Sequence, residues 1–280
     1  MTTPNHFPLM PRRGSWASQL AAQETATLDT PYAAPYAQPV AMPRPSVRSV
    51  LQDWGPWDCC MALMGVCDDG IPLAARFFDA QRTSHYVFYG QDDAVLATLV
   101  MPMLYSMSVQ EYGPEYWQYT ILSEETTDWS MAAGAHCQGI VSPYERDGDA
   151  VIPAAAGLME QRSMGRQRGP RYVVVLHDLG RYWHQMSINS RRNIIPLLKR
   201  GHQFGINVLV TLRYEHYPLI PKPVRRLLKH KVYGLAAMAH LPNTTTFREL
   251  GTMVTHELLP YQAWVRTDGE WMRYTAPRLG

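Results

Sequence analysis

The chain has 280 residues, of which 46% are hydrophobic, and a formal net charge of +2 at pH 7, so it can bury a full apolar core. It contains no run of about 18 apolar residues, and its start lacks the continuous apolar stretch of a signal peptide, so we expect a cytoplasmic protein without membrane insertion. The four cysteines, Cys59, Cys60, Cys67 and Cys137, form no C-x-x-C pair and are expected to be reduced thiols.

Residues 1–48 are expected to form a disordered Pro/Ala-rich arm. Pro and Ala dominate Pro31–Pro45, where the only aromatic residues are Tyr32 and Tyr36, so little can be buried there. Linker behaviour is the simpler expectation, and docking of the arm in the polyproline groove of a partner is the alternative. The folded domain is predicted to span residues 49–280.

The rest of the chain alternates strands with helices. Strands are predicted at Ile71–Phe78, His85–Tyr89, Tyr116–Leu122, Gly139–Val141, Arg171–Leu176, Ile206–Thr211 and Lys231–Ala236, with a closing hairpin at Gln262–Val265 and Trp271–Tyr274. Helices are predicted after Gly90 and at Ala150–Arg162, with Pro102 expected to kink or shorten the first and Pro196 to interrupt a later segment. Near-continuous apolar strands between helices indicate an α/β fold with a mainly parallel sheet flanked by helices.

The segment after the His85–Tyr89 strand has the setting of a phosphate-binding loop, a strand followed by a turn and a helix. Laid on the pattern G-x-x-x-x-G-K-[ST], the eight residues are Gly90, Gln91, Asp92, Asp93, Ala94, Val95, Leu96 and Ala97. Only the first glycine is kept. Val95 replaces the second glycine, Leu96 replaces the phosphate-binding lysine, and Ala97 replaces the hydroxyl that binds Mg²⁺.

These replacements all weaken phosphate binding. A β-branched valine is a poor occupant of positive φ, leucine has no charge for phosphate, and alanine has no oxygen for magnesium. Asp92 and Asp93 would repel phosphate and would themselves satisfy the amides at the helix N-terminus. The alternative from this segment alone is an unrelated strand-turn-helix with an aspartate cap.

A P-loop ATPase also needs a second strand that ends in acids, one for magnesium and one to orient water. Val173–Leu179 is a strand of this kind, with His177 at the metal-binding position and Asp178 at the adjacent catalytic position. Neutral imidazole is a poor ligand for magnesium, which prefers oxygen.

Four stretches in order resemble the motor domain of FtsK/SpoIIIE-type DNA translocases, within the FtsK–HerA group that includes type VII secretion ATPases. They are Ser84–Leu104, His136–Arg162, Tyr172–Leu179 and Leu198–Arg213, and the resemblance covers roughly residues 50–275. It implies a RecA-like P-loop NTPase fold closed by a C-terminal β-hairpin. Leu212 stands where the family has a sensor glutamine, and Ser123-Glu124-Glu125 replaces another conserved family motif.

The departures at Leu96, Ala97, His177 and Leu212 fall on catalytic positions, so the resemblance implies a pseudo-ATPase that holds no cofactor. The expected role is a non-hydrolytic subunit of a DNA-translocase or of a secretion- or conjugation-type assembly, in a homo-oligomer or with an active FtsK-like ATPase. Arg200 or Arg213 could then act in trans on a neighbour's nucleotide. A divergent but active ATP-dependent DNA translocase, which would bind ATP and Mg²⁺, is one alternative.

A DNA-binding or scaffold protein without nucleotide is another alternative. From Arg191 to Lys231 there are ten basic residues and one acid, Glu215. Lys222, Arg225, Arg226 and Lys229 lie at spacings that place several of them on one helix face, where they could contact DNA phosphates. The simpler interpretation of that run is a solvated helix face.

A metal hydrolase built from His177 and Asp178, joined in the fold by His136 or His202, is a further hypothesis. No H-x-x-x-H or H-E-x-x-H spacing in the sequence supports it.

Overall fold

The computed structural model describes residues 44–55, 57–58, 60–77, 85–236, 257–267 and 269–280, with only the backbone of 126–128. The chain divides into two units after Met42, and all the described residues lie in the second. Most of the predicted arm, residues 1–43, therefore falls outside the described residues.

Within the described residues, ten strands form one mixed sheet. They are β1 Met61–Cys67, β2 Pro72–Arg76, β3 Tyr86–Gly90, β4 Trp117–Leu122, β5 Cys137–Val141, β6 Arg171–Leu176, β7 Ile206–Arg213, β8 His230–Gly234, β9 Gln262–Thr267 and β10 Glu270–Thr275. The spatial order is β2-β1-β10-β9-β8-β3-β7-β6-β4-β5. The run from β8 to β5 is parallel throughout, and the other pairings are antiparallel. The predicted mainly parallel sheet and its C-terminal hairpin, β9–β10, are confirmed.

Helices cover both faces of the sheet. They are α1 Val47–Trp54, α2 Asp93–Ser108, α3 Arg146–Ser163, α4 Leu179–Tyr182, α5 Ile188–Arg200 and α6 Lys222–Arg225, with 3₁₀ turns at Thr126–Ala132, Gly201–Phe204 and Tyr214–Leu219. The apolar side chains of α2 pack in one core with Phe88 and Val175, while α3 to α6 pack in a second core with Val87 and Val174. Successive residues of β3 and β6 thus enter opposite cores, as the two-residue period of a strand requires.

Strand β7 lies between β3 and β6, and it is buried along almost its whole length. Because the three strands are parallel, their carboxyl ends meet at one edge of the sheet. That edge holds Gly90, His177 and Arg213, each at or just after the end of its strand. The P-loop position and the second acidic position are therefore brought together at this edge.

The prolines disturb the helices less than predicted. Helix α2 runs for 16 residues through Pro102, and α5 runs for 13 residues through Pro196, so the expected shortening and interruption are wrong. Pro102 is itself buried in the packed face of α2. Packing of an apolar face can outweigh the hydrogen bond that a proline removes.

The folded domain begins earlier than the predicted residue 49. The Arg44 guanidinium donates from Nε to the carbonyl of Ala276 at 2.6 Å, and Ser46 forms a parallel bridge with Arg278. Ser46 also caps α1, which the sequence analysis placed partly in the arm. Residues 44–48 therefore belong to the domain and tie its first helix to its last residues.

Two smaller expectations concern thiols and membranes. Cys60, Cys67 and Cys137 are free thiols, in agreement with the prediction for these three. Within the described ranges, no helix combines the length and the apolar character needed to cross a bilayer.

Candidate functional site

The turn between β3 and α2 is short. Only Gln91 and Asp92 separate Gly90 from the first residue of the helix. The Asp92 carboxylate caps the helix, with Oδ1 accepting the Val95 amide at 2.8 Å, and the Gln91 side chain donates to Oδ2 at 3.0 Å. A carboxylate of the chain itself thus satisfies an amide at the helix end where phosphate binds in a P-loop.

The three altered motif positions are core positions. Val95, Leu96 and Ala97 are 2%, 0% and 2% exposed, while Ala94 faces solvent. A Cβ built on Gly90 would lie 3.0 Å from Leu96 Cδ2, so the leucine side chain fills the space beside the strand end. The position that holds the phosphate-binding lysine in a P-loop therefore has an apolar role here.

Asp178, after β6, forms the most constrained part of this edge. Among the described residues it is the only non-glycine with positive φ, at 47°. Its Oδ1 accepts the Arg213 amide at 3.1 Å, and its Oδ2 lies 2.6 Å from Nδ1 of His216, which donates to it. The Asp178 amide in turn donates to Thr211 Oγ1 at 2.8 Å. Such a network can hold a residue in a sparsely populated conformation.

His177 is buried at the centre of the same edge. Its Nδ1 is 2.8 Å from Thr211 Oγ1, and the edge of its ring faces Trp129 with 5.0 Å between ring centroids. Burial, offset in part by Asp178, lowers the pKa of His177 to about 4, so the ring is neutral at pH 7. When Thr211 donates to Nδ1, the ring proton is on Nε2, which lies 3.7 Å from Asp93 Oδ1.

A chain of ion pairs lies on the outer side of the carboxyl ends of these strands. Arg181 of α4 lies with Nη1 3.4 Å from Asp93 Oδ2 and Nε 2.7 Å from Glu124 Oε2. Tyr144 donates to the same Glu124 oxygen at 3.4 Å. One arginine therefore bridges the P-loop position and the end of β4, using carboxylates and a guanidinium of the chain itself.

The remaining predicted motor residues are placed as follows. Leu212, at the sensor position, is fully buried in β7, between Thr211 and Arg213, which both bond to Asp178. Arg213 lies at the edge and pairs through Nη2 with Glu215 Oε1 at 2.5 Å. Arg200 is the last residue of α5 and lies near the amino end of β7, where its guanidinium lies over Phe204. The two arginines proposed to act in trans therefore lie at opposite ends of the parallel strands.

The basic residues after β7 do not share a long helix face. Helix α6 covers only Lys222–Arg225, Arg226 is its C-cap, and Lys229 comes after it. Lys222, Arg226 and Lys229 are exposed, whereas Arg225 is half-buried with its guanidinium 4.6 Å from the ring centre of Tyr217. The three exposed charges nevertheless lie close together in sequence, on the side of the sheet that α3 to α6 cover.

The structure does not assemble the histidine cluster of the metal-hydrolase hypothesis. His136 stacks on Trp117 with centroids 4.5 Å apart, and His202 packs edge-on against His85 at 5.9 Å. In the part of the chain that the structure describes, no group of three or more histidine, cysteine or acidic residues could hold a metal ion.

Sequence reasoning missed the partners that complete the network. No sequence motif pointed to His216, yet it pairs with Asp178, which lies 38 residues earlier. One signal was available in Gly180, where a Cβ would lie 2.6 Å from the His216 carbonyl oxygen. A glycine two residues after the acidic end of a strand indicates a close approach of another backbone, but not which one.

No protein-family model matches the sequence, and no curated protein matches it significantly. Solved structures do match. The cytoplasmic domain of the Thermomonospora curvata type VII secretion ATPase EccC aligns over 85% of this chain with a TM-score of 0.65 and 13% identity. EssC ATPases 2 and 3 from Geobacillus thermodenitrificans align over 80% with a TM-score of 0.60 and 15% identity.

The conjugation coupling protein TcpA of pCW3, solved with ATPγS, aligns over 80% of this chain with a TM-score of 0.57 and 11% identity. The domain has the fold of an FtsK–HerA-type P-loop ATPase. The chain spans 32% of the EccC chain, 48% of the EssC chain and 70% of the TcpA chain. The likeness to EccC and EssC therefore concerns less than half of the length of those chains, and at these identities it concerns the fold alone.

Proposed function

We propose that this chain is a pseudo-ATPase, an FtsK-like domain that neither holds nor hydrolyses nucleotide. The observation that carries the proposal is that side chains of the chain itself occupy the phosphate-binding positions. Asp92 caps the helix end, Leu96 fills the lysine position, and Arg181 bridges Asp93 to Glu124.

Electrostatics supports the same proposal. A triphosphate placed at this edge would meet Asp92 and Asp93 next to the turn and Asp178 at the end of β6. Two like charges about 4 Å apart repel by roughly 4 kcal/mol at the effective dielectric of a protein surface. Binding would also have to break the Arg181 pairs. Magnesium would meet a neutral histidine at His177 rather than a carboxylate.

The role that fits such a domain is that of a fixed subunit in a translocase, secretion or conjugation assembly, with an active ATPase as its partner. The fold is retained while the phosphate-facing groups are lost, which is expected when shape and surface carry the function. In this role the domain contributes contacts to sister subunits or cargo, and hydrolysis takes place elsewhere.

The test is steady-state ATP hydrolysis by the purified chain, with and without duplex DNA. An FtsK-type domain with an intact P-loop serves as the positive control. We expect turnover indistinguishable from a blank in both conditions. Turnover above the blank that disappears in Asp178→Asn would show that the chain is a divergent but active motor. Hydrolysis by a contaminating enzyme would be unchanged by that variant.

A second candidate function is contact with DNA through the exposed basic residues. Lys222, Arg226 and Lys229 lie exposed within about eight residues, and the one acid of the Arg191–Lys231 stretch, Glu215, is already paired with Arg213. These charges are therefore not neutralised by acids nearby in sequence.

The charge-reversed triple variant K222E/R226E/K229E tests this function. We expect wild-type DNA affinity to fall steeply with salt and the variant to lose both the affinity and most of the salt dependence. The double variant R191E/R192E on α5, which reverses two charges rather than three, provides a control. DNA affinity that is equal in all these variants, or absent in the wild type, would exclude this function.

A further inference from the structure

The two ends of the parallel strands carry exposed charges of opposite sign. Four exposed acids follow the carboxyl ends of β4, β5 and β7, namely Glu124, Glu125, Glu145 and Glu215. Arg181 and Arg213, which also lie at the carboxyl ends, are each paired with an acid. Four exposed bases precede the amino ends of β6 and β7, namely Arg166, Arg168, Lys199 and Arg200. We call these four bases the amino-end cluster. Residues 161–171 and 191–213, which contain it, include no acid.

The two segments that carry the amino-end cluster are held side by side. Strands β6 and β7 pair directly, and α3 packs beside α5. Arg162, near the end of α3, joins the two segments, since its Nη1 donates to the Phe204 carbonyl at 2.9 Å and its Nη2 donates to the Pro170 carbonyl. The Arg200 guanidinium lies 5.6 Å from the ring centre of the same Phe204. The bases before β6 and those before β7 therefore form one surface.

The same surface carries exposed apolar side chains. Met164, in the turn after α3, is 57% exposed, and Tyr116, just before β4, is 52% exposed. The Tyr116 carbonyl accepts the Arg171 amide at 2.8 Å, which places Tyr116 beside the first residue of β6. Glu115, the acid next to it, folds its carboxylate back over Gly113. The amino ends of these strands therefore combine bases with apolar groups.

An anionic bilayer fits both properties of this surface. Its headgroups attract Lys and Arg, and the boundary between headgroups and acyl chains accepts exposed apolar side chains and tyrosine rings. A nucleic acid would use the arginines and could stack a base on Tyr116, but it offers no apolar phase for Met164. The same membrane repels the acids at the carboxyl ends, and this repulsion turns the amino-end cluster towards the bilayer.

We propose that the amino-end cluster docks this domain on the surface of an anionic bilayer. The four bases contact the phosphate groups of the lipid headgroups, while Met164 and Tyr116 enter the boundary between headgroups and acyl chains. The acidic carboxyl ends of the strands then face away from the membrane. The proposal does not depend on the loss of nucleotide binding, because the cluster lies at the other end of the strands.

The first experiment measures flotation of the full chain with phosphatidylcholine vesicles, with and without about 30% phosphatidylglycerol. We expect binding only to the anionic vesicles at about 0.1 M salt and its loss at about 0.5 M, because salt screens the attraction. The double variant R166E/R200E should bind at least about 10-fold more weakly. The double variant R146E/R192E is the matched control, since it reverses two exposed arginines near the other ends of α3 and α5.

The control should bind within about two-fold of wild type, because its charges lie far from the bilayer. Both double variants should unfold at the wild-type temperature, which separates a lost contact from a lost fold. A wild-type chain that does not float with anionic vesicles would overturn the proposal. Equal loss of binding in the two double variants would overturn it as well, since net charge alone would then explain the binding.

The second experiment tests the apolar contact. Met164→Asp should weaken vesicle binding at least about five-fold, because it removes an apolar side chain from the bilayer boundary. Met131→Asp is the matched control, since Met131 is 66% exposed but follows the carboxyl end of β4, and it should bind like wild type. Vesicle binding that is unchanged in Met164→Asp would contradict insertion into the bilayer.

Single-stranded DNA serves as the competing ligand in the same assay. We expect it to displace the chain from vesicles only weakly, because it engages the charges and leaves Met164 without a partner. A chain that bound this DNA through Arg166 and Arg200 but bound no vesicles would make the amino-end cluster a nucleic-acid site and the proposal wrong.

Discussion

The central parallel strands follow the fold of solved ATPase structures, whereas the turns at the carboxyl ends of these strands carry residues unlike those of a P-loop motif. Strands β3, β6 and β7 are largely buried between two cores, and the domain superposes on ATPase domains with TM-scores of 0.57 to 0.65. The turns after these strands place Asp92, Leu96 and His177 where nucleotide chemistry requires other groups. The buried strands account for the fold through apolar packing, while the turns carry the residues on which the proposed loss of nucleotide binding rests.

The residues at the carboxyl ends of the strands have partners within the chain itself. Asp178 is bound by the Arg213 amide and by His216, and Arg181 holds two carboxylates. Such contacts contribute to local stability. Substitutions at the carboxyl edge should therefore change the stability of the fold and leave ATP turnover at zero.

The largest effect is expected from restoring the P-loop with the triple variant V95G/L96K/A97S. The variant buries an unpaired ammonium at a fully buried position and places a glycine in a helix, so we expect the free energy of unfolding to fall by about 4 kcal/mol or more. ATP hydrolysis should stay absent, because His177 and Leu212 are unchanged. Leu96→Met is the control and should cost less than about 1.5 kcal/mol. A triple variant with wild-type stability and DNA-dependent turnover would contradict the account.

The next effect concerns Asp178. Asp178→Ala leaves the Arg213 amide and His216 without their acceptor and puts alanine in the left-handed conformation, so we expect a loss of about 3 kcal/mol in a denaturant titration. Asp178→Asn keeps an acceptor oxygen and tolerates positive φ, so it should lose only about 1 kcal/mol. If both variants unfolded at the wild-type denaturant concentration, Asp178 would have no structural role.

The pH dependence of stability should report the buried histidines. Burial lowers the pKa of His177 from its ordinary 6.5 to about 4 and that of His85 to about 3, the latter with a contribution from His202. Below pH 6.5 the unfolded chain binds protons that the folded chain does not, so stability is full above pH 6.5 and falls as the pH drops towards 4.

Each histidine contributes a slope of about 1.4 kcal/mol per pH unit in this window. Denaturant titrations between pH 6 and 4 should therefore show a slope of roughly 3 kcal/mol per unit in the wild type and about half of that in His177→Asn. His184→Asn, which removes an exposed histidine, is the control and should keep the wild-type slope. Identical slopes in wild type and His177→Asn would mean that His177 is not buried in neutral form.

The smallest effect is expected from Arg181→Met. The Arg181 side chain is 36% exposed, so solvent screens its pairs with Asp93 and Glu124, and the loss should be about 1 kcal/mol or less. The loss should shrink in high salt. Arg146→Met, at an exposed position on α3, is the matched control. A salt-independent loss of several kcal/mol would indicate that the bridge is buried more deeply than the structure places it.

Apolar periodicity predicted most of the fold. The near-continuous runs at Arg171–Leu176 and Ile206–Thr211 became β6 and β7, and the turn at Thr267 and Gly269 joined the predicted hairpin. Helix α1 and strand β1 were missed. Helix α1 follows directly on a Pro-rich stretch that dominates the local composition. Strand β1 pairs with its neighbour β2 in the chain, but its sequence, Met-Ala-Leu-Met-Gly-Val-Cys, has one β-branched residue and no aromatic residue, so it gives little local strand signal.

The positions of the site could be predicted, but their contacts could not. Motif spacing placed Asp93, His177 and Asp178 at one edge of the sheet, because parallel strands bring their carboxyl ends together. The Asp178–His216 and Arg181–Glu124 pairs join residues far apart in sequence, and side-chain geometry alone decides them. The length of the turn after Gly90 could not be predicted from the sequence either, because a capped helix and a phosphate-binding loop begin with similar residues.

The most direct test of the central claim is calorimetric titration of the purified chain with ATP and ADP, with and without magnesium. The account predicts no binding up to millimolar nucleotide in either condition, because Asp92, Leu96 and the Asp93–Arg181–Glu124 pairs occupy the site. An FtsK-type domain with an intact P-loop should bind under the same conditions. Tight, magnesium-dependent binding to this chain would contradict the account and would mean that the turn after β3 opens to accept phosphate.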